Sequence, residues 1–284
     1  MLRPILSLIL LLTAPLCCRG ESVTAKIIPF DFKDGLIWVD VSVSESPKPL
    51  HFLLDSGASV SVVDLDIARR LGLRLGRPVS VSGVGSTGRG YWPQRLEAQA
   101  GEVDLPGKYL ALDLAGLSNA CAARVDGLIG ADFFRNEAVQ IDFNAQLIRL
   151  LPARAKMPHG TALDLKRVRG TYLTPAIIND GSPQWLRVDT GCNSALQWVH
   201  GTRVARPASS SISIALSELS IPEATTRVRL GDRVLESVPT GLHEQAIFRG
   251  EDGLLGNGLL SRFSRITLNA RTGKIIFEGA RPRL

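Results

Sequence analysis

Apolar and polar residues alternate along much of the chain with a period of two. The clearest run is Leu36–Val43, and similar runs cover 172–179 and 266–277. Such alternation is typical of β-strands that bury one face in a core. A different period governs 63, 67 and 71, whose apolar residues share one face of a helix, with Asp64 as N-cap and Gly72 as a stop. The pattern predicts a chain built mainly of strands, with a short helix over 64–71.

Two apolar runs end abruptly in a small turn that carries an aspartate. Residues 52–57 are Phe-Leu-Leu-Asp-Ser-Gly, and residues 186–191 are Leu-Arg-Val-Asp-Thr-Gly. The glycine lets the backbone turn where a side chain would clash, and the buried strand before it fixes the aspartate. One such turn is a weak signal, because Asp, Ser and Gly are ordinary turn residues. Its recurrence singles out Asp55 and Asp189 as candidate functional residues.

The segments after the two turns also correspond. Asp-Gly-Leu-apolar-Gly occurs at 126–130 and at 252–256, which places the last glycine 75 residues after Asp55 and 67 residues after Asp189. Each half then closes with a hairpin whose turn contains Asn-Ala, over 139–148 and 266–277. Asp126 and Asp252 are expected to cap turns. The sequence therefore predicts a duplicated unit of about 130 residues, with the two copies joined near residues 153–160.

A glycine-rich stretch at 83–90 contains a formal Gly-x-Gly-x-x-Gly. In dinucleotide-binding proteins that fingerprint requires a helix that opens on the glycines. Here Tyr91, Trp92 and Pro93 follow, and a helix would tolerate them poorly. The stretch is predicted to be the tip of a hairpin between two strands, and a nucleotide site is not expected.

Residues 1–20 have the features of a secretory signal peptide. Arg3 precedes an apolar run over 5–16, and small residues stand three and one positions before a cut after Gly20. The run is too short to span a bilayer. A lipoprotein acylated at Cys17 and an uncleaved anchor stay open as alternatives. A secreted or periplasmic protein is expected, with membrane association only if this segment is retained or lipidated.

Charge and cysteine content narrow the function further. Without residues 1–20 the chain keeps 31 basic and 27 acidic residues, a net charge of +4 that is spread along the sequence. A spread excess of this size indicates a solvated surface rather than a nucleic-acid site. Cys121 and Cys192 could form a disulfide in an exported protein, but two separate buried thiols are expected because they lie in different halves. No Cys or His pair has the spacing of metal ligands.

The paired turns resemble the retropepsin-like and pepsin-like aspartic proteases, and the resemblance covers nearly the whole chain after residue 20. It implies an all-β fold in which two homologous, closed, barrel-like lobes of the acid-protease type, 21–156 and 157–284, form a pseudodimer. Asp55 and Asp189 match the catalytic aspartates. The residues that match the support of the catalytic loops are Ser56, Gly57, Thr190 and Gly191. The residues that match a flap over the substrate are Gly83, Gly85, Ser86, Gly88 and Tyr91.

The second half departs from that pattern in three places, one of which is the diverged segment after its aspartate, residues 194–198. Residues 207–223 are serine-rich and irregular where a second flap would lie, and Arg187 puts a charge two residues before Asp189, where the first half has Leu53. The resemblance implies an endopeptidase that acts on peptides or proteins as a monomer, without metal or organic cofactor. A catalytically inactive peptide-binding module remains the alternative. A homodimer of like lobes is a third possibility, and the internal duplication makes it unnecessary.

Overall fold

The computed structural model describes residues 25–83, 87–153, 155–200, 212–214 (backbone only) and 222–281. The proposed signal segment and Cys17 lie outside these ranges, as do Gly85 and Ser86. Strands dominate the described residues, which confirms the all-β prediction. No helix in these ranges is long and apolar enough to cross a membrane.

The first half contains thirteen described strands and two short helices. They are β1 (Lys26–Pro29), β2 (Asp31–Lys33), β3 (Leu36–Val43), β4 (Leu50–Leu54), β5 (Val62–Asp64), α1 (Leu65–Arg70), β6 (Leu75–Gly83), β7 (Thr87–Pro93), β8 (Ala98–Ala100), β9 (Val103–Asp104), β10 (Leu110–Leu112), α2 (Ala115–Ala120), β11 (Gly127–Ile129), β12 (Ala138–Asp142) and β13 (Leu147–Leu150). The predicted helix is α1, and Asp64 caps it by accepting the N–H groups of Asp66 and Ile67. Helix α2 was not predicted.

The second half contains eleven described strands and one helix. They are β14 (Thr161–Asp164), β15 (Lys166–Val168), β16 (Thr171–Ile178), β17 (Pro183–Asp189), β18 (Leu196–Val199), β19 (Ile212–Ile214), β20 (Glu223–Leu230), β21 (Arg233–His243), β22 (Gly253–Gly256), α3 (Asn257–Leu260), β23 (Arg265–Asn269) and β24 (Lys274–Glu278). The two predicted closing hairpins are β12–β13 and β23–β24.

Each half supplies most strands of one sheet, and the same pairings recur in both. Strand β19 of the second half extends the first sheet by pairing parallel with β6. In the first half β4 runs parallel to β11, which is antiparallel to β5. In the second half β17 runs parallel to β22, which is antiparallel to β18. The second sheet closes on itself, because β16 pairs with β20 as well as with β17. The last three residues of β4 and the last four of β17 are all buried, so the core holds the ends of both strands.

A third sheet joins the halves. Its order is β1-β13-β12-β23-β24-β14, with three strands from each half, and β12 meets β23 over five residue pairs from Ala138↔Asn269 to Asp142↔Arg265. Its central strands are almost wholly buried. The largest apolar cluster likewise contains residues of both halves, among them Val39 and Leu268. The core therefore runs through the join and holds the ends of β4 and β17 at a fixed separation.

Candidate active site

Asp55 and Asp189 lie where β4 and β17 end. The N–H of Asp55 donates to the carbonyl of Ile129, the last residue of the neighbouring β11, at 2.9 Å. On the other side Asp189 pairs in register with Gly256, the last residue of β22. Both aspartates are buried, with 2% and 0% exposure. Removing an ionised carboxyl group from water costs free energy, so the groups around each aspartate must compensate for its burial.

The two carboxyl groups are packed against each other's turns. A Cβ atom added to Gly57 would overlap the Asp189 carboxyl group, and one added to Gly191 would overlap that of Asp55. Each carboxyl also accepts N–H groups of its own turn. Asp55 Oδ1 accepts from Gly57 (3.0 Å) and Ala58 (2.9 Å), and Asp189 Oδ1 accepts from Gly191 (3.0 Å). Only glycine leaves room for this approach, and the two aspartates therefore meet at the junction of the halves.

Ser56 and Thr190 bind the two turns together through a reciprocal set of hydrogen bonds. The Ser56 N–H donates to Thr190 Oγ1 at 2.9 Å, and the Thr190 N–H donates to Ser56 Oγ at 3.1 Å. Each hydroxyl then donates across to the other half, Ser56 Oγ to the carbonyl of Val188 and Thr190 Oγ1 to that of Leu54, both at 2.8 Å. All four groups are buried, where such bonds are costly to lose. The network fixes the spacing of the aspartates.

The environment makes it hard for both carboxyls to ionise. Burial first, and then the charge of Asp189, raises the pKa of Asp55. Burial also raises the pKa of Asp189, while the Arg187 guanidinium, the Gly191 N–H and a hydrogen bond with Asp55 lower it. Asp189 Oδ2 has no donor within the described residues when both groups are ionised. A single proton held by Asp55 removes this conflict, because Asp55 can then donate to Asp189.

The glycines that end the second motif pack behind the aspartate turns. A side chain on Gly130 would overlap the backbone of Val60, and one on Gly256 would overlap that of Ser194. The residue after Gly256 is Asn257, which sequence reasoning did not single out. Its amide donates to the carbonyls of Thr190 (2.7 Å) and Gly35 (2.9 Å), so it ties the second turn to the first half. An asparagine at a strand end does not indicate from the sequence alone which carbonyl groups it binds.

Asp126 and Asp252 have matching structural roles. Asp126 Oδ2 accepts the N–H of His51 at 3.0 Å, and Asp252 Oδ2 accepts the N–H of Trp185 at 2.8 Å. His51 lies in β4 and Trp185 in β17, so each carboxylate fastens the strand that leads to a site aspartate. The two aspartates were predicted to cap turns; these two contacts instead hold N–H groups of neighbouring strands.

The glycine-rich stretch forms a β-hairpin of β6 and β7, whose pairing runs from Leu75↔Pro93 to Ser82↔Thr87. Of the residues assigned to a flap, Gly83 ends β6, and Gly88 and Tyr91 lie in β7. Tyr91 pairs with Ala111 of β10 and packs on the edge of the main apolar cluster. The segment 207–223, where a second flap would lie, falls largely outside the described residues.

Sequence reasoning noticed Arg187 only as a departure from the pattern and missed its partners. Arg187 is 1% exposed, forms a bidentate ion pair with Glu251 and lies over the ring of Phe248. Glu251 stands 64 residues away in the sequence, directly before Asp252. The sequence offered one indication of this ion pair, an arginine within an otherwise apolar strand. An arginine buried in such a strand requires a buried acid as its partner.

Cys121 and Cys192 are free thiols, which confirms that they are separate, but both residues are only partly buried. Cys192 Sγ lies 3.0 Å from Ser194 Oγ just behind the second turn. Among the described residues no group of His, Cys, Asp or Glu side chains is arranged to hold a metal ion.

A protein-family model described as aspartyl protease matches residues 39–133 of the chain. The matched stretch includes Asp55, the β6–β7 hairpin and Gly130, but it ends before the second half. No curated protein matches the chain. The family match supports an aspartyl protease family and, in general terms, a protease-type function.

Proposed function

We propose that the chain is an exported aspartic endopeptidase that hydrolyses peptide bonds with the pair Asp55 and Asp189. The observation that carries this proposal is the burial of the two carboxyl groups side by side, each against the glycine of the opposite turn. The two halves then act as the lobes of a pseudodimer, 21–156 and 157–284. The matched pairings of β4 with β11 and of β17 with β22 support that interpretation.

Amide hydrolysis needs a nucleophilic water and a proton for the carbonyl oxygen. Two adjacent carboxyls that share one proton can supply both functions. The ionised aspartate takes a proton from a water held between the two groups, while the protonated aspartate donates to the peptide carbonyl. Ser56 and Thr190 hold the pair in register, and the β6–β7 hairpin, with Gly83, Gly88 and Tyr91, is assigned to the substrate side. No step requires a metal or an organic cofactor.

The direct test is cleavage of a mixed peptide library by the purified chain without residues 1–20, between about pH 3 and pH 8. Asp55→Asn and Asp189→Asn should each reduce cleavage by at least about 10²-fold. Both variants should stay folded, because an amide oxygen can accept the same N–H groups. Undiminished cleavage by either variant would refute the dyad. Peptide binding without cleavage, equal in parent and variants, would identify the inactive binding module instead.

Export is part of the proposal and rests on residues 1–20. Expression of the full chain followed by cell fractionation and N-terminal sequencing should yield a product outside the cytoplasm that begins near Glu21. A product modified at Cys17 would establish the lipoprotein alternative, and a cytoplasmic product that retains Met1 would refute export.

A further inference from the structure

The two halves differ sharply at one matched position. Leu53 of β4 pairs with Leu128 of β11, and both belong to a ten-residue buried apolar cluster. At the corresponding place in the second half, Arg187 of β17 pairs with Leu254 of β22. Among the described residues, the cluster around Leu254 has one other buried member, Phe248. A buried cation has replaced the leucine on the same element of the site.

Every nitrogen of the Arg187 guanidinium has a partner. Nε donates to Glu251 Oε2 at 2.7 Å, Nη2 donates to Glu251 Oε1 at 2.6 Å, and Nη1 donates to the carbonyl of Gly57 at 2.8 Å. The Phe248 ring covers one face, with its centroid 3.5 Å from Cζ. The Arg187 and Glu251 side chains are each 2% exposed. The planar fork of arginine suits this bidentate geometry, and its burial keeps it away from any substrate.

The bond to Gly57 crosses between the halves. Arg187 and Asp189 are two residues apart on one strand, so their side chains leave the same face. The Asp189 carboxyl packs on Gly57, and Arg187 holds the carbonyl of that same glycine. Arg187 therefore fixes the first aspartate turn against the second aspartate, as a supplement to the Ser56 and Thr190 network.

The charged and titratable groups that face the two aspartates are Arg187, Glu251 and the Cys192 thiol. After burial, Arg187 has the largest effect on Asp189 and lowers its pKa, and Glu251 opposes this more weakly. On Asp55 the Arg187 charge acts less than the N–H groups of Ala58 and Gly57, which also favour its ionised form. The hydrogen bond from Asp55 stabilises the charge on Asp189, whose charge in turn holds the proton on Asp55.

We propose that Arg187 is a positioning residue of the candidate active site: anchored by Glu251, it locks the Gly57 turn against Asp189 and keeps the negative charge of the pair on Asp189. This inference rests on the proposed function and adds to it. Asp189 is then the base that takes the proton from water, and Asp55 is the acid that donates to the peptide carbonyl. The two turns are alike in sequence and contacts, and the Arg187–Glu251 ion pair makes the roles of their aspartates different.

The test compares the parent with Arg187→Met/Glu251→Leu, which removes both charges together, because a lone buried Glu251 would destabilise the fold. Site-resolved carboxyl-carbon NMR should show Asp189 ionised and Asp55 protonated in the parent near neutral pH. In the double variant the titration of Asp189 should move up by about one pH unit or more. The acidic limb of the pH profile of peptide cleavage should move with it.

Two further variants separate charge from geometry. Arg187→Lys keeps the charge but lacks the fork, so it should lower kcat while leaving the pH profile in place. Arg149→Met removes a more exposed ion pair, with Asp142 in the joining sheet, and leaves Asp142 bound to the Asn144 and Ala145 N–H groups. It should change neither the Asp189 titration nor cleavage. An unshifted Asp189 titration in the double variant, or a proton on Asp189 in the parent, overturns the inference. If the chain cleaves no peptide, the proposed function is refuted. The NMR titration needs no turnover, so it still tests whether Arg187 keeps the charge on Asp189.

Discussion

At the scale of single residues, the site holds two acids in a state that costs stability at neutral and higher pH. Burial raises the pKa of Asp55 from 3.8 to about 8, and that of Asp189 is also raised. A carboxyl whose pKa is raised on folding stabilises the fold below its unfolded pKa, and that contribution is lost as the pH rises through the folded pKa. The parent should therefore lose stability between about pH 4 and pH 8 because of this pair.

Asp55→Asn should remove much of this loss. Asparagine is always neutral, so the variant should gain stability relative to the parent as the pH rises, by at least about 1 kcal/mol across that window. Urea unfolding at both ends of the window measures it. Asp142→Asn is the matched control with the opposite sign: burial acts to raise its pKa, but the Ala145 N–H and Arg149 outweigh burial and lower it. The Asp142→Asn variant should be less stable than the parent at neutral pH and nearly as stable as the parent at acid pH. Parallel pH curves for Asp55→Asn and parent would contradict the prediction.

The glycines of the two turns have a steric role that substitution can isolate. Gly57→Ala and Gly191→Ala would each drive a methyl group into the opposite aspartate. We expect either variant to push the carboxyls apart and to lower kcat by at least about 10-fold, because small displacements of catalytic groups are costly. Gly72→Ala is the control. Gly72 has a positive φ of 69° but nothing within 4 Å of its added methyl, so that variant should lose about 1 kcal/mol of stability and keep its kcat.

At the scale of elements, each site strand is fastened at its beginning as well as at its end. Asp126 and Asp252 accept the N–H groups of His51 and Trp185, and both carboxylates are buried. Asp126→Ala and Asp252→Ala should each cost about 1 kcal/mol, because a partly buried N–H loses its acceptor. Thermal unfolding measures the cost. The pH profile of cleavage should not move, and a shifted profile would show that these carboxylates act on the dyad itself.

The sequence predicts secondary-structure elements more readily than the contacts between distant residues. The alternation over Leu36–Val43, the helix behind Asp64 and both closing hairpins follow from local period and turn chemistry. The approach of Asp55 to Asp189 could be expected only because the turns repeat. The Arg187–Glu251 pair could not be, since a charge pattern does not name its partner 64 residues away. The bonds of Asn257 to Gly35 and Thr190 were hidden for the same reason.

At the scale of the whole molecule, the joining sheet makes the two halves depend on each other. Strands β12 and β23 lie at its centre, and alternation within each hairpin shows which face is buried but not which strand lies beside it. The prediction of two lobes therefore left out a sheet that contains three strands of each half. The joining sheet fixes the two halves relative to each other, and the Ser56–Thr190 network fixes the two aspartate turns.

A shared sheet and a shared apolar core predict a single cooperative unfolding transition for the chain. Scanning calorimetry should give one peak whose calorimetric and van't Hoff enthalpies agree. Leu268→Pro should abolish that transition and peptide cleavage together, because Leu268 is fully buried in β23 between β12 and β24 and proline disrupts a central strand. Lys26→Pro, at the first residue of the edge strand β1, should have little effect. Two separate transitions in the parent would mean that the halves fold as independent lobes, and the geometry of the aspartate pair would then depend on the turns alone.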